Sequence, residues 1–271
     1  MEYLATYFNI CSLEEAVERM LLKDVPDNAV VVTFDDGYRD NYLNAFPILK
    51  ELSIPATIFL ATDAIGSQRV LWHDRVFSAF RETRKSVLDG FGHHPERLNL
   101  TTIEEKLCAQ AKFLNFIRSL PNEERLFWID FLVRKLEVVD RKEVPNLMLS
   151  WDEVKIMHGN GLCFGSHSVS HPILSRIAID DAREEIQESK DTIENKLGTS
   201  IRTFAYPNGS PNDFDESTKN ILRETGYICA LTTKFGTNES DENLFELRRA
   251  TPWDHDIYSF ALRLNRYKLL S

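Results

Sequence analysis

The chain has few cysteines, and their spacing does not suggest a shared site. Cys11, Cys108, Cys163 and Cys229 are scattered over 271 residues, and no two of them form a CxxC pair. Three of the four lie among apolar neighbours. The sequence therefore favours buried free thiols over a disulfide framework or a cysteine-bound zinc site.

Long apolar runs are also missing. The longest uncharged apolar runs, such as residues 54–61, are far shorter than the ~18–20 apolar residues that a membrane span needs. The N-terminal residues lack the basic start, apolar stretch and small-residue cleavage site of a signal peptide. We therefore expect no membrane span and, for the chain as written, a cytoplasmic location, or an extracytoplasmic one if a leader was removed.

Basic residues are a minority, with 32 Lys and Arg against 42 Asp and Glu and a formal charge of −10. This balance argues against nucleic acid as a partner, because affinity for it comes mainly from Lys and Arg on phosphates. Only 11 Gly and 10 Pro occur, and 43% of the residues are hydrophobic, which excludes a fibrous or disordered chain. The length fits one large α/β domain or two small ones.

Strand-like and helix-like segments alternate at both ends of the chain. The β-branched run Ala29–Phe34 predicts a strand buried on both faces, a helix follows from Asn41, and Ala56–Leu60 predicts the next strand. After a capping-box pattern at Ser150 and a short helix, the same alternation predicts strands at 162–165, 201–206 and 227–231 and helices at 180–197 and 214–225. Alternation on this scale predicts a parallel sheet with helices packed outside it.

Residues 72–149 do not follow this alternation. Thr101 with Glu104 forms a capping-box pattern, and Pro121 opens a second amphipathic helix. We therefore expect a helical insertion at 72–149 within a single domain spanning 1–271. Its base lies between two predicted strands, so we expect it either to wall a cleft at the sheet edge and restrict what enters, or merely to cover a hydrophobic flank or form a dimer contact.

Three polar clusters follow predicted strands: T-F-D-D-G at 33–37, H-S-V-S-H at 167–171 and F-A-Y-P-N-G at 204–209. Loops at the carboxyl ends of parallel strands are where active sites assemble. Adjacent carboxylates that leave a buried strand are costly unless they face a cation, hydrogen bonds or water, and the two side chains diverge, so they should act separately. Each cluster alone also fits a structural role: a helix cap, a structural histidine pair and a strand-ending turn.

In this order and spacing, the clusters resemble those of the polysaccharide deacetylases, the carbohydrate esterase family 4 enzymes with the NodB-homology domain. An arginine motif at Leu247-Arg-Arg249 adds to the match, which covers about 27–71 and 150–250. The resemblance implies a distorted (β/α)7-type barrel, a bound divalent metal ion, and hydrolysis of N- or O-acetyl groups on an acetylated carbohydrate substrate.

The resemblance also implies the metal ligands, which are Asp36, His167 and His171 in this sequence. Two imidazoles and one carboxylate suit zinc, with cobalt or nickel as alternatives, and they leave coordination positions open. Zinc in such a site lowers the pKa of a bound water to ~7.

Three further roles carry over from the family. Asp35 is implied as the general base, and the backbone N–H of Tyr206 as a donor to the oxyanion. Arg249, or alternatively Arg248, is implied to hold Asp35 through a charged hydrogen bond.

The general acid is where the sequence departs from the family. Many members carry a late L-x-x-H histidine, but the only histidine after Arg249 is His255. The candidates are therefore His73, which opens the insertion, His255, or water. Trp72, Trp253 and Phe235 are aromatic candidates for stacking on a sugar ring or, more simply, for core packing.

The N-terminus also departs from the family, whose barrels have a strand before the first helix. Here a helix-like stretch begins almost at once, capped by Ser12 and Glu15. We therefore expect the chain to begin inside the domain, as a truncated product or an open barrel. A metal amidohydrolase that acts on a small non-sugar amide, or an inactive carbohydrate-binding relative, remains the alternative to a deacetylase.

Overall fold

The computed structural model describes residues 1–251 and 254–268 and is built around a parallel sheet. In chain order the strands are β1 (Asn9–Ile10), β2 (Ala29–Val30), β3 (Val32–Phe34), β4 (Ala56–Leu60), β5 (Val87–Leu88), β6 (Leu98–Asn99), β7 (Cys163–Ser166), β8 (Thr203–Ala205), β9 (Cys229–Phe235) and β10 (Leu247–Arg249). The α-helices are α1 (Glu2–Tyr7), α2 (Leu13–Leu22), α3 (Phe46–Glu51), α4 (Trp72–Glu82), α5 (Ile103–Arg118), α6 (Asn122–Lys135), α7 (Trp151–His158), α8 (Ile179–Leu197), α9 (Glu216–Glu224) and α10 (Ile257–Lys268).

Six of the strands form one sheet in the order β10-β9-β8-β7-β4-β3, with every neighbouring pair parallel. A seventh parallel strand, β1, pairs with β2, which only Val31 separates from β3. The predicted parallel sheet is confirmed, and Ala56–Leu60 has the predicted bounds because all five of its residues are buried.

Helices pack against both faces of this sheet. Ile58 and Leu60 belong to the main core, under α3, α7, α8 and α9, whereas Phe59 between them faces the opposite side. This follows from the two-residue period of a strand. On that second face, Leu13, Val17 and Met20 of α2 cover the sheet.

The segment between β4 and α7 contains α4, β5, β6, α5 and α6 and has its own hydrophobic cluster, which extends from Trp72 to Leu136. At the base of this segment, an antiparallel bridge between Arg69 and Glu143 joins the stretch that enters it to the stretch that leaves it. The capping box of α5 consists of Thr102 and Glu105, one residue later than the sequence pattern placed it.

Other expectations need correction. A strand does precede the first predicted helix, since β1 comes before α2, although Ser12 caps α2 as expected. Cys11 and Cys229 are buried, but Cys108 is exposed, so the expectation of buried thiols is wrong there. No helix among the described residues combines the length and apolarity that crossing a membrane requires.

Candidate active site

The polar clusters meet at the carboxyl edge of the sheet. Asp35 and Asp36 come directly after β3, and His167 directly after β7. Because these strands are parallel, their ends lie at one edge, so residues more than 100 positions apart in sequence come together there.

Asp36, His167 and His171 bring one ligand atom each to within 4.8 Å of one another. Asp36 Oδ1 lies 3.3 Å from Nε2 of each histidine, and it is buried without hydrogen-bond geometry to any described group. Burial raises the pKa of Asp36, but the contacts with the two histidines outweigh burial and hold that pKa well below its usual range. A buried, charged oxygen without a hydrogen-bond donor beside two imidazole nitrogens fits a divalent cation.

The backbone turns sharply at this point to place the carboxylate. Asp36 has a φ of +72° and Gly37 a φ of +81°. A Cβ at Gly37 would lie 2.6 Å from Cδ1 of Ile65, so both the conformation and the close approach require glycine.

His167 has a fixed tautomer. Its Nδ1 lies 2.7 Å from the carbonyl oxygen of Ala205, which can only accept, so Nδ1 carries the hydrogen. In the neutral ring, the lone pair is therefore on Nε2, which faces Asp36. This is the usual arrangement of a metal-binding histidine.

Asp35 is held by Arg249 and not by Arg248. Arg249 Nη1 and Nη2 donate to the two carboxylate oxygens of Asp35, each over 2.8 Å, and its Nε donates to the carbonyl of Thr232. Arg248 forms an ion pair with Glu242 instead. Burial raises the pKa of Asp35, but the charges of Arg249 and His167 outweigh burial and lower that pKa below its usual value. Asp35 is therefore a carboxylate at neutral pH.

His73 reaches the same site from the start of α4. Its Nε2 lies 3.8 Å from Asp36 Oδ2, and its ring centre is 5.1 Å from that of His171. The hydroxyl of Tyr38 lies 3.0 Å from this Nε2 and donates to Asp74 over 2.9 Å. Burial and the neighbouring His171 lower the pKa of His73 to about 3, and burial raises the pKa of Asp74 to about 6. His255, the other histidine candidate, is exposed.

The expected role of Tyr206 is wrong. Its backbone N–H donates to the carbonyl of Leu231 over 3.0 Å and so belongs to the hydrogen bonding between β8 and β9. Its ring is buried and stacks on Phe214, and its hydroxyl donates to the carbonyl of Phe245. The N–H of Tyr206 is therefore not available to an oxyanion.

Asn208 offers the donors that Tyr206 lacks. Pro207 has no N–H, and within the described residues neither the backbone N–H nor the side-chain Nδ2 of Asn208 has a hydrogen-bond partner. Asn208 adopts a φ of +63° and lies three positions after Ala205, the carbonyl of which contacts His167. The sequence signal for it is its place directly after Pro207, which makes its N–H the first one after that of Tyr206.

Sequence reasoning also missed three aromatic or polar neighbours of the site. Tyr38 bonds with Asp74, and the exposed Phe77 lies one turn after His73 on α4, with 5.6 Å between the two ring centres. Of the expected aromatic candidates, Trp72 is buried and donates to the carbonyl of His171, Phe235 is exposed on β9, and Trp253 lies outside the described residues.

Comparison with known proteins agrees with this geometry. Residues 22–230 match the family model for polysaccharide deacetylase. The putative polysaccharide deacetylase YxkH of Bacillus subtilis is 22% identical over 227 residues, which cover 84% of this chain and 52% of that protein. The poly-beta-1,6-N-acetyl-D-glucosamine N-deacetylase of Staphylococcus epidermidis is 27% identical over 158 residues, covering 57% of this chain and 53% of that protein. The chain thus spans about half the length of these relatives.

A solved structure shares the fold. The structure of IcaB from Ammonifex degensii superimposes with a TM-score of 0.60 and 18% identity, over 97% of this chain and 84% of that one. The distorted barrel implied by the motifs is therefore confirmed.

Proposed function

The chain belongs to the polysaccharide deacetylase family, and from the geometry of its site we propose that it is a metal-dependent hydrolase that removes acetyl groups from N- or O-acetylated sugars. The observation that carries this proposal is the convergence of Asp36, His167 and His171 within 4.8 Å, beside the arginine-held Asp35. A protein that only binds carbohydrate would not need the ionised carboxylate of Asp35 beside a group of metal-binding side chains.

Asp36, His167 and His171 would hold the metal ion, for which zinc is our first choice and cobalt or nickel are alternatives. The donor set of two imidazoles and one carboxylate, with the fixed tautomer of His167, matches hydrolytic zinc sites. When bound, the ion supplies a Lewis acid for the acyl oxygen and lowers the pKa of water.

Asp35 acts as the general base in this proposal. Arg249 donates to both of its carboxylate oxygens, which fixes its orientation and keeps it ionised at neutral pH. It can therefore take the proton from the attacking water.

The backbone N–H of Asn208 stabilises the oxyanion. It is preorganised by the φ of +63° and carries no competing hydrogen bond in the described residues. Loss of one such donor typically costs ~3 kcal/mol of transition-state stabilisation.

His73 delivers the proton that an amide leaving group needs. Its Nε2 is 3.8 Å from the carboxylate of Asp36 and therefore lies beside the reacting centre, whereas His255 is exposed. The ring is neutral at rest, and the proton that its Nε2 passes to the leaving amine is the one that Asp35 takes from the attacking water and hands on during turnover. The Tyr38 hydroxyl connects this nitrogen to the carboxyl group of Asp74.

The substrate class rests on the family and on the N-deacetylase among its relatives. Two alternatives remain. The same metal ligands would suit hydrolysis of a small non-sugar amide, and a protein of this fold without turnover would only bind carbohydrate. These are the outcomes against which the proposal is tested.

The test is acetate release from a panel of N- and O-acetylated oligosaccharides, with the metal-free protein loaded with zinc, cobalt or nickel. We expect metal-dependent release from at least one N-acetylated oligosaccharide, and none from a His171→Ala variant. Release only from small non-sugar amides, or oligosaccharide binding without release under all three metals, would overturn the proposal.

A further inference from the structure

The two histidine ligands are held in different ways. His167 has the usual support of a metal ligand, because its second ring nitrogen donates to a carbonyl over 2.7 Å. His171 lacks it, since its Nδ1 is buried without a hydrogen-bond partner among the described residues. No hydrogen bond orients its ring, so its orientation depends on its backbone and on the packing of neighbouring rings.

That backbone is unusual and is held at both ends. His171 has a φ of +58°, in the left-handed region that a non-glycine residue rarely adopts. Its N–H donates to Ser168 Oγ over 3.2 Å, and its carbonyl accepts from Trp72 Nε1 over 3.0 Å. The second bond spans 99 positions and comes from the first residue of the insertion's first helix.

A buried arginine in turn holds Trp72. The guanidinium carbon of Arg125 lies 4.9 Å from the centre of the Trp72 ring, and Arg125 has no exposed surface. Its Nη2 donates to Asn122, but its Nε and Nη1 are buried without hydrogen-bond partners in the described part of the chain. The indole face and the negative charge of Asp213 therefore together compensate for burying this cation, and the stacking orients the indole ring from which Trp72 donates.

We propose that Trp72 and Arg125 are positioning residues of the metal centre, through which the helical insertion sets the affinity of His171 for a divalent ion. Trp72 does for the backbone of His171 what the Ala205 carbonyl does for the ring of His167. This inference rests on the proposed metal site and adds the insertion to it as a structural support.

The experiment measures zinc and cobalt affinity of the metal-free protein by competition with a chromophoric chelator. Trp72→Phe keeps an aromatic, though smaller, side chain but removes the N–H, and we expect a dissociation constant about 10- to 100-fold higher, the usual effect of losing an outer support of a ligand. The visible spectrum of the cobalt form should change as well, because the geometry at His171 relaxes. Arg125→Lys keeps the charge but loses the planar stacking, and it should weaken binding in the same direction.

Matched controls separate positioning from general stability. Trp128→Phe changes an indole that packs on Phe116 and Phe131 inside the same insertion, and Arg134→Lys changes an exposed arginine on the same helix, α6. Both controls should bind zinc within about twofold of the parent. Thermal unfolding of the metal-free variants shows whether each variant is folded. If Trp72→Phe is not folded, the zinc affinity of Arg125→Lys alone decides whether the positioning role holds.

The possible failures can be told apart. If the parent binds no metal, or His171→Ala binds as tightly as the parent, the proposed metal site itself is wrong. If His171→Ala abolishes binding while the folded Trp72→Phe or Arg125→Lys protein binds zinc within twofold of the parent with an unchanged cobalt spectrum, the positioning role is overturned. The same holds if the control variants lose as much affinity as the test variants.

Discussion

Arg249 and Asp35 are joined by two parallel hydrogen bonds of 2.8 Å each, although 214 positions separate them in the chain. Asp35 follows β3 and Arg249 ends β10, and these two strands are the opposite edges of the six-stranded sheet. The ion pair therefore bridges the two edges at the carboxyl end of the sheet. Alongside it, the gap between the edges remains as a mostly apolar cavity of about 460 Å³, lined in part by Thr33, Leu231 and Leu247.

The paired arginines at 248 and 249 allow a matched test of this bridge. Arg249→Lys cannot donate to both oxygens of Asp35, and losing a charged hydrogen bond of about 1.5–3 kcal/mol predicts a fall in kcat/KM of about 10- to 100-fold. Arg248→Lys should stay within about threefold of the parent, because Arg248 pairs with Glu242 instead. Steady-state kinetics on an N-acetyl substrate compares the two, and equal losses would contradict the assignment.

The two adjacent aspartates should separate metal binding from turnover. Asp35→Asn should retain about one equivalent of metal but lose activity, because Asp35 is assigned to proton transfer and Asp36 to coordination. Asp36→Asn should lose the metal. Elemental analysis with parallel rate measurements checks both variants, and the opposite pattern would mean that the two roles are reversed.

Substitution of His73 should affect substrates according to their leaving group. His73→Ala should retain metal and fold, but lose activity most on N-acetyl substrates, whose amine leaving group needs a proton. Activated aryl acetates leave without protonation and should be affected much less. His255→Ala is the matched control and should behave as the parent on both. An unchanged rate of His73→Ala on an N-acetyl substrate would assign protonation to water instead.

Phe77 is the exposed aromatic residue beside the site, and it should contact the substrate. Its ring lies 5.6 Å from that of His73 and is 38% exposed, so it is available to stack on a sugar. Phe77→Ala should raise KM for an acetylated oligosaccharide about 2- to 10-fold, the equivalent of about 0.5–1.5 kcal/mol, and leave hydrolysis of a small aryl acetate nearly unchanged.

The control for Phe77 is Phe127→Ala, which removes an exposed phenylalanine from α6. A comparable rise in KM for both variants would indicate a general effect on the insertion and not a stacking contact.

Glu153 should contribute stability that depends on pH. Burial raises its pKa, but the N–H and hydroxyl of Ser150 and the guanidinium of Arg39 outweigh burial and lower it below its usual value. A carboxyl group with a lowered folded-state pKa stabilises the protein above its unfolded pKa of about 4.3, and this stability is lost as the pH falls through the folded value. Glu153→Gln should therefore cost about 1–2 kcal/mol of unfolding free energy at pH 7, and much less near pH 3.

Urea unfolding of the metal-free protein at several pH values measures this difference. Glu184→Gln, at an exposed position on α8, is the control and should be nearly neutral throughout. A penalty for Glu153→Gln that is as large at pH 3 as at pH 7 would exclude the ion pair as its source.

Much of the sheet could be predicted from the sequence, because its central strands are short apolar runs buried on both faces. Ala56–Leu60 is such a run, and its predicted bounds agree with the structure. The first helix of the insertion was missed because Leu71, at its N-cap, provides no side-chain hydrogen bond. β10 was missed because three residues with two arginines do not resemble a buried strand.

The site divides in a similar way. The grouping of Asp36, His167 and His171 could be anticipated, since each follows or lies near the carboxyl end of a parallel strand. The oxyanion role expected for Tyr206 is wrong because its N–H takes part in the pairing of β8 with β9. No local sequence pattern reveals that pairing. Trp72 was read as a core or sugar-stacking residue because a hydrogen bond across 99 positions leaves no periodic signal.

The insertion has a hydrophobic cluster separate from that of the barrel, yet its first helix brings Trp72 and His73 to the proposed metal site. Homologous barrels could therefore exchange such segments during evolution with little effect on the rest of the fold, provided that the incoming segment brings equivalent side chains at its first two positions. For protein engineering, a segment that is spliced in before residue 72 must bring its own tryptophan and histidine, whereas a graft that begins after residue 73 would keep Trp72 and His73 of this chain.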